Sequence, residues 1–154
     1  MKSTNNKLII KQLDKKLQIL KPLQTIELPK GGWISLVRNS LNMSLRQLGE
    51  RTSKTAQGIR KIEKNEAEGT ITLKSLRDVG EALDMKFVYG FVPKDGSLEK
   101  MIEKRAMELA HKIVMRTSTS MKLEDQENSA ERLKEAVTEM ADEFKREIPK
   151  RLWD

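Results

Sequence analysis

The sequence predicts a mainly α-helical protein with one short strand and with helices added on both sides of a central helical domain. Only 4% of the 154 residues are aromatic, 34% are charged and eight are Met, a balance that favours helices over a β-sandwich or barrel. Apolar residues recur at three- and four-residue spacing along much of the chain, as in amphipathic helices. An apolar content of 37% suffices for one ordinary core or for a small domain with helical extensions.

Residues 1–30 are expected to form one helix and a linker. Apolar side chains recur every three or four residues as far as Pro22, which ends the helix because proline cannot continue the hydrogen-bond ladder. The linker is rich in Pro and Gly, with a short extended piece expected at 25–28. The apolar stripe of the helix consists of Ile9 or Ile10, Leu13, Leu17 and Leu20.

Residues 31–86 are expected to form a compact helical domain. A first helix covers Trp33–Leu41, two short helices follow between Ser44 and Glu63, and after a loop a further helix covers about Leu73–Leu83. The residues expected to be buried are Trp33, Leu36, Val37 and Leu41 in the first helix and Leu73, Leu76, Val79 and Leu83 in the last.

The two short helices carry their own start signals. Ser44 and Gln47 have the spacing of a capping box, in which each side chain satisfies an orphan backbone N–H. Thr55 is placed to cap the second helix. Gly49 lies where the second helix must cross at close range, which gives its missing side chain a steric use.

The same pair of helices has a defined inner and outer face. Ile59 and Ile62 lie three residues apart, so they share one face of the second helix and are expected to dock on Leu45 and Leu48 of the first. Side chains that can donate hydrogen bonds are left to point elsewhere. These are Gln57, Arg60, Lys61 and Lys64.

This arrangement resembles the helix-turn-helix of phage-repressor-like (XRE-type) regulators, in which the second helix enters the DNA major groove. The turn departs from that family, whose members usually have apolar residues at the positions of Thr52 and Lys54 and Gly at that of Ser53. Either the turn is reshaped, or apolar residues from elsewhere, such as Trp33 or Leu36, fill the space beneath it.

Charge gives an independent indication of a nucleic-acid partner, because DNA binding depends strongly on neutralised phosphates. The chain carries a net charge of +7. Residues 1–65 hold 14 Lys and Arg against 4 Asp and Glu, whereas residues 66–154 hold 16 against 19. A merely solvated surface does not predict this division, so we expect DNA binding by the basic half.

Side-chain chemistry assigns provisional roles on DNA. Gln57 suits adenine, and either Arg60 or Lys61 suits guanine, so these residues are the candidates for base edges. A homodimer on half-sites about one helical turn apart is expected for this class. The residues expected to contact the phosphate backbone are Ser44, Arg46, Gln47, Thr55 and Lys64.

Residues 87–96 are predicted to form a strand and turn. Phe87, Tyr89 and Phe91 alternate with smaller residues, and the PKDGS segment closes the strand. A lone strand needs a partner. The candidates are residues 25–28 and the same strand of a second subunit, which we slightly favour; the alternative is a buried extended segment.

Residues 97–154 are predicted to be helical again. One helix has the stripe Leu98, Met101 or Ile102, Leu109 and Ile113. A second begins at a capping box near Ser129, continues with Leu133, Val137, Met140 and Phe144, and stops at Pro149. Leu152 and Trp153 then either pack on a neighbouring apolar surface or form an exposed anchor for a partner.

Several segments together resemble the mobile mystery protein A family over nearly the whole chain: EAEGTITLKSL, FVYGFVP, SMKLEDQ and the C-terminal RLWD. This resemblance implies that the protein is the first member of a gene pair whose second product is a Fic-domain protein. It further implies an antitoxin that represses its own genes and inhibits its partner.

The resemblance draws attention to Ser120 and Glu124. Inhibitors of Fic enzymes carry Ser or Thr, three residues, then Glu on a helix, and that Glu blocks the place of the ATP γ-phosphate during AMP transfer. The usual Gly or Asn after the Glu is replaced here by Asp125. Chance occurrence of Ser and Glu at this spacing in a charged helix is the competing explanation.

Catalysis by the chain itself is not expected. The single His111 has no base or metal-ligand partner at a characteristic spacing, and zero Cys excludes disulfides and thiolate chemistry. We therefore expect no cofactor and no metal site. The apolar runs are too short for a signal peptide or a membrane span, so a cytoplasmic protein is expected.

Three interpretations follow from the sequence. The chain is a DNA-binding regulator that also silences a Fic partner, or a stand-alone dimeric repressor whose C-terminal helices only dimerise. The third is an interaction module that has lost DNA binding, an interpretation supported by the unusual turn.

Overall fold

The computed structural model describes residues 2–123 and 129–154, and within them the side chains of 5–120 and 129–154. This part of the chain contains α-helices, two short 3₁₀ turns and no strand, so the mainly α fold class is confirmed. No helix in the same part is long and apolar enough to cross a membrane. The helices are α1 (Lys2–Gln18), α2 (Trp33–Ser40), α3 (Leu45–Arg51), α4 (Ala56–Glu68), α5 (Leu73–Ala82), α6 (Leu98–Leu123) and α7 (Ala130–Glu147).

The chain divides into two compact units. Unit 1 combines residues 1–24 with residues 90–154, and therefore contains α1, α6 and α7. Unit 2 comprises residues 25–89, with α2 to α5. The N-terminal helix thus belongs to the same unit as the C-terminal helices.

Unit 2 has a small core to which all four of its helices, α2 to α5, contribute. Its buried members are Ile34, Leu48, Ile59, Val79 and Leu83, with Val37, Leu45, Ile62 and Leu76 half-buried around them. The predicted docking of Ile59 and Ile62 of α4 on Leu45 and Leu48 of α3 is confirmed.

Four residues predicted for this core are instead exposed, namely Trp33, Leu36, Leu41 and Leu73. Trp33 and Leu36 are exposed because of the rotation of α2, whose inward positions are Ile34 and Arg38, one turn apart. Leu41 is the C-cap residue, so it lies beyond the end of α2. Arg38 needs the inward position because it pairs with Glu63 of α4. Leu73 lies in the first turn of α5, beyond the edge of the core.

Unit 1 has a core between α6 and α7. Ile102, Ala106, Ala110 and Val114 of α6 are buried against Val137, Ala141 and Phe144 of α7. The predicted stripe of α7 is largely confirmed. On α6 the alternative of Met101 or Ile102 resolves to Ile102. Leu109 and Ile113 are only partly buried, because alanines occupy the central positions, where small side chains let two helices approach closely.

The C-terminal segment adds Leu152 to this core. Leu152 is buried, whereas Trp153 beside it is 49% exposed. Arg151 lies over the ring of Phe144, 4.8 Å from its centre, an arrangement that permits a cation–π interaction. The prediction of packing therefore holds for Leu152 and not for its neighbour.

The N-terminal helix α1 packs through a narrower stripe than predicted. Ile10 and Leu17 are half-buried, and Asp14 between them is buried. Ile9 and Leu13 are exposed. The carboxylate of Asp14 accepts hydrogen bonds from the backbone N–H groups of Leu98 and Glu99, at 2.7 and 3.2 Å, and so caps the start of α6.

The strand predicted at residues 87–96 is absent from the structure. No described segment pairs with it, 25–28 included, and a strand without a neighbour has no ladder of hydrogen bonds to define it. The alternation of side chains is kept in part, since the rings of Phe87 and Tyr89 stack with centres 5.8 Å apart. Tyr89 and Phe91 are exposed, so the segment is not a buried one either.

Candidate nucleic-acid interface

The α3 and α4 helices are each started by a side-chain cap, as predicted. The hydroxyl of Ser44 accepts from the N–H of Gln47, whose side chain accepts in return from the N–H of Ser44. The hydroxyl of Thr55 accepts from the N–H of Gly58 at 3.0 Å. These caps fix where both helices begin, and therefore the length of the turn between them.

The turn between α3 and α4 ends α3 with a Schellman motif. The N–H of Lys54 donates to the carbonyl of Gly49 at 2.7 Å, and the N–H of Ser53 donates to that of Glu50 at 3.5 Å. Ser53 has a φ of 55°, the left-handed conformation that glycine adopts at lower cost. The turn therefore keeps a positive φ at this position without glycine.

Thr52 occupies a position that is usually apolar in the family it resembles, yet it is half-buried. Its hydroxyl donates to the carbonyls of Leu48 and Gly49, at 3.0 and 3.2 Å, so this half-buried hydroxyl is satisfied locally. Trp33 and Leu36, the proposed replacements for missing apolar residues, are exposed, and Lys54 is exposed as well. The alternative in which they fill this space is wrong.

Gly49 is required by the turn itself. A Cβ at this position would lie 2.5 Å from the carbonyl oxygen of Lys54 and 3.2 Å from the carbonyl carbon of Thr55. Both atoms belong to the backbone, which cannot move aside as a side chain can. Glycine thus allows α3 to pass directly against the start of α4, as the sequence predicted.

Two carboxylates of α4, which sequence analysis did not single out, attach it to α2. Glu66 accepts from the backbone N–H groups of Trp33 and Ile34, at 2.8 and 2.9 Å, and so caps α2 from a distance of more than 30 residues. Glu63 pairs with the guanidinium of Arg38 at 2.6 and 3.2 Å. Their three-residue spacing on one face of α4 was the available signal.

The outward face of α4 carries the residues predicted for base contacts. The side chains of Gln57, Arg60 and Lys61 are exposed and form no hydrogen bond or ion pair with another described residue. Lys64 is exposed and lies 3.8 Å from Glu68. With spacings of three, four and seven residues, these four side chains share one face, opposite the buried Ile59.

The residues predicted for phosphate contacts, other than Lys64, lie near the starts of α3 and α4. Arg46 is exposed and pairs with Glu50. Ser44, Gln47 and Thr55 are exposed, although their side chains already serve as caps. The eight predicted residues therefore lie on α3, on α4 or at the cap positions before them. They differ in whether their side chains are already bonded within the chain.

The positive charge is distributed differently from the two halves of the sequence. Unit 2 holds 11 Lys and Arg against 8 Asp and Glu, and unit 1 holds 19 against 15. Residues 1–24 alone contribute six of the basic residues and one acidic residue, and they belong to unit 1. Much of the charge attributed to the basic half thus lies outside the unit that contains α3 and α4.

Of the two residues predicted for Fic inhibition, the structure describes Ser120. Ser120 is exposed near the end of α6, and its hydroxyl donates to the carbonyl of Arg116 at 3.2 Å. Glu124 lies outside the described residues. His111 is an exposed residue of the same helix.

No protein-family description, no curated protein and no solved structure matches the chain.

Proposed function

We propose that this chain is a sequence-specific DNA-binding regulator, in which α3 and α4 form a helix-turn-helix and α4 enters the major groove. The observation that carries the proposal is the outward face of α4. Gln57, Arg60 and Lys61 lie there exposed and unpaired with any described residue, while Ile59 on the opposite face is fully buried. The helix is therefore anchored on one side and presents donors on the other.

The chemistry of these side chains suits base edges. A glutamine amide can donate to N7 and accept from N6 of adenine, and an arginine or lysine can donate to O6 and N7 of guanine. All three residues lie in the first two turns of α4, the part of a recognition helix that contacts bases. Lys64, one turn farther along, is assigned to a phosphate.

The braces from α4 to α2 support this function. Glu63 and Glu66 hold the second half of α4 to α2 through Arg38 and the start of α2. A helix fixed in this way loses little further freedom when it binds, which lowers the entropic cost of recognition.

The decisive experiment compares a specific duplex with a random one. The specific duplex is the DNA upstream of the chain's own gene, because an autorepressor binds there, and affinity is measured against salt concentration. Gln57→Ala should remove most of the preference for the specific duplex, by about 1–3 kcal/mol for a bidentate contact. Gln24→Ala, at an exposed glutamine of the 3₁₀ turn Lys21–Thr25, is the matched control and should change nothing.

A second variant separates phosphate contacts from base contacts. Lys64→Ala should weaken binding to both duplexes alike and reduce the slope of log K against log salt by about one. Equal loss on both duplexes for Gln57→Ala would remove that residue from base reading. Binding indifferent to salt would reject the proposal.

We infer a second role, as an inhibitor of a Fic-type partner, from the family resemblance and from the exposed position of Ser120 near the end of α6. Co-purification with the product of the neighbouring gene tests the association. Glu124→Gly should then relieve inhibition of AMP transfer and leave DNA binding unchanged. Full inhibition by that variant would contradict the role of Glu124.

A further inference from the structure

Helix α1 carries a row of lysines that the proposed DNA-reading helix does not account for. Lys7, Lys11 and Lys15 follow one another at four-residue spacing, so they lie along one side of the helix. All three are exposed. The row borders the side that packs in unit 1, which is formed by Ile10, Asp14 and Leu17.

These lysines have no acidic partner in the part of the chain that the structure describes. Lys7 lines a surface hollow that also contains Glu99, Glu103 and Asp142, yet it forms no ion pair with them. Glu103 and Asp142 pair with Lys145 instead, at 3.8 and 2.7 Å.

Because Asp14 is buried, the charged side chains that the structure describes on the surface of α1 are all lysines. Asp14 is the single acidic residue among residues 1–24, and it is 8% exposed, with both carboxylate oxygens bound to the start of α6. An ordinary solvated helix intersperses charges of both signs, which offset one another. Here the only compensating charge in the segment has been withdrawn from the surface.

We propose that this face of α1 binds the phosphate backbone of duplex DNA, as a sequence-independent contact in addition to the contact made by α4. This inference rests on the proposed function. The row from Lys7 to Lys15 extends over about 12 Å of helix, and one DNA strand presents about three to four phosphates over that length of its axis. Three flexible ammonium groups therefore match the charge density of one strand.

The test replaces the row without changing helix propensity. Lys7→Gln, Lys11→Gln and Lys15→Gln are combined, since Gln and Lys are similarly good helix formers. The slope of log K against log salt should fall by about 2.7 on the specific and the random duplex alike, because each phosphate contact contributes about 0.9. The preference between the duplexes should be unchanged.

Two matched variants complete the test. Lys112→Gln, Lys134→Gln and Lys150→Gln together remove the same charge from exposed lysines elsewhere in unit 1 that form no ion pair with a described residue; their slope should match that of the unaltered chain. Replacing the α1 row by three arginines should preserve the slope. Equal slopes for the two glutamine triples would overturn the inference, since net charge alone would then explain the effect.

The outcomes separate this inference from the proposed function. If Gln57→Ala removes the sequence preference and the α1 triple leaves the slope intact, the α1 contact is wrong and the regulator stands. If the triple lowers the slope and Gln57→Ala changes no preference, α1 binds phosphates and the base-reading role fails. Loss of binding to vesicles of phosphatidylserine and phosphatidylcholine, with unchanged duplex binding, would assign the row to a membrane surface and overturn the inference.

Discussion

Among the residues that the structure describes, each unit buries one charged side chain, and these two side chains have different kinds of partner. In unit 2 the buried charge is Arg38, which pairs with a carboxylate of the same unit. In unit 1 it is Asp14, which pairs with no cation and accepts from two backbone N–H groups. In unit 2 the positive charge of Arg38 is therefore offset by a neighbouring carboxylate. In unit 1 the burial of Asp14 removes a negative charge from the surface of α1.

The largest effect is expected when the ion pair between Arg38 and Glu63 in unit 2 is broken. Glu63→Ala leaves the Arg38 guanidinium buried with only the carbonyl of Met43, 2.8 Å away, as partner, so we expect a loss of about 3 kcal/mol in the free energy of unfolding. Urea titration followed by circular dichroism measures it. Asp78→Ala, which breaks the exposed pair with Lys74, is the control and should cost less than about 0.5 kcal/mol. Equal losses would mean that burial of Arg38 does not matter.

The corresponding change in unit 1 should cost less. Asp14→Ala removes the acceptor for the N–H groups of Leu98 and Glu99 without leaving a buried charge behind, while the hydroxyl of Ser97 still accepts from the N–H of Lys100. A loss of about 1–2 kcal/mol is therefore expected in the same titration. Asp14→Asn keeps one side-chain acceptor and should lose only part of that amount. If Asn were as damaging as Ala, the carboxylate would act through its charge and not as a cap.

A third change should stabilise unit 2. Ser53→Gly relieves the left-handed conformation at the turn after α3 and should add about 1 kcal/mol to the free energy of unfolding. Asn42 also has a positive φ, of 52°, but asparagine tolerates it better. Asn42→Gly should therefore gain less, and an equal gain at both positions would contradict the strain assigned to Ser53.

The smallest effect concerns an exposed pair in unit 1. A hydrogen bond from Lys145 to Asp142 raises the pKa of that ammonium above its ordinary value of 10.5. A raised pKa stabilises the folded state below the ordinary value, and this stabilisation is lost as pH rises through the folded pKa. Asp142→Asn should thus cost under about 0.5 kcal/mol near neutral pH, and the difference should vanish in strongly alkaline titrations. A difference that persists there would exclude Lys145 as its source.

Local signals in the sequence predicted the parts of the structure that depend on neighbouring residues. The caps at Ser44 and Thr55, the space required at Gly49 and the packing of Ile59 all follow from spacing within a few residues. The mainly helical class follows from the same periodicity. The outward face of α4 was predictable for this reason too, because it is simply the face opposite the isoleucines.

Features set by distant residues could not be predicted in this way. The rotation of α2, with Ile34 inside and Trp33 outside, depends on Glu63 and Glu66 about 30 residues away. Asp14 lies on an apolar stripe, and no local pattern indicates that it caps a helix 84 residues later. The segment from Phe87 to Phe91 has the alternation of a strand, but alternation does not supply a pairing partner.

Gly49 also affects the orientation of α4, because it contacts the backbone just before that helix begins. The helix is 13 residues long, about 20 Å, and its first turn lies against the glycine, so any tilt forced by a larger residue would move the far end most. Gln57, near the start of the helix, would hardly shift, whereas Glu66 would be carried away from the N–H groups at the start of α2. A side chain at position 49 would thus damage the remote anchorage of α4 before it disturbed the placement of the nearest donor.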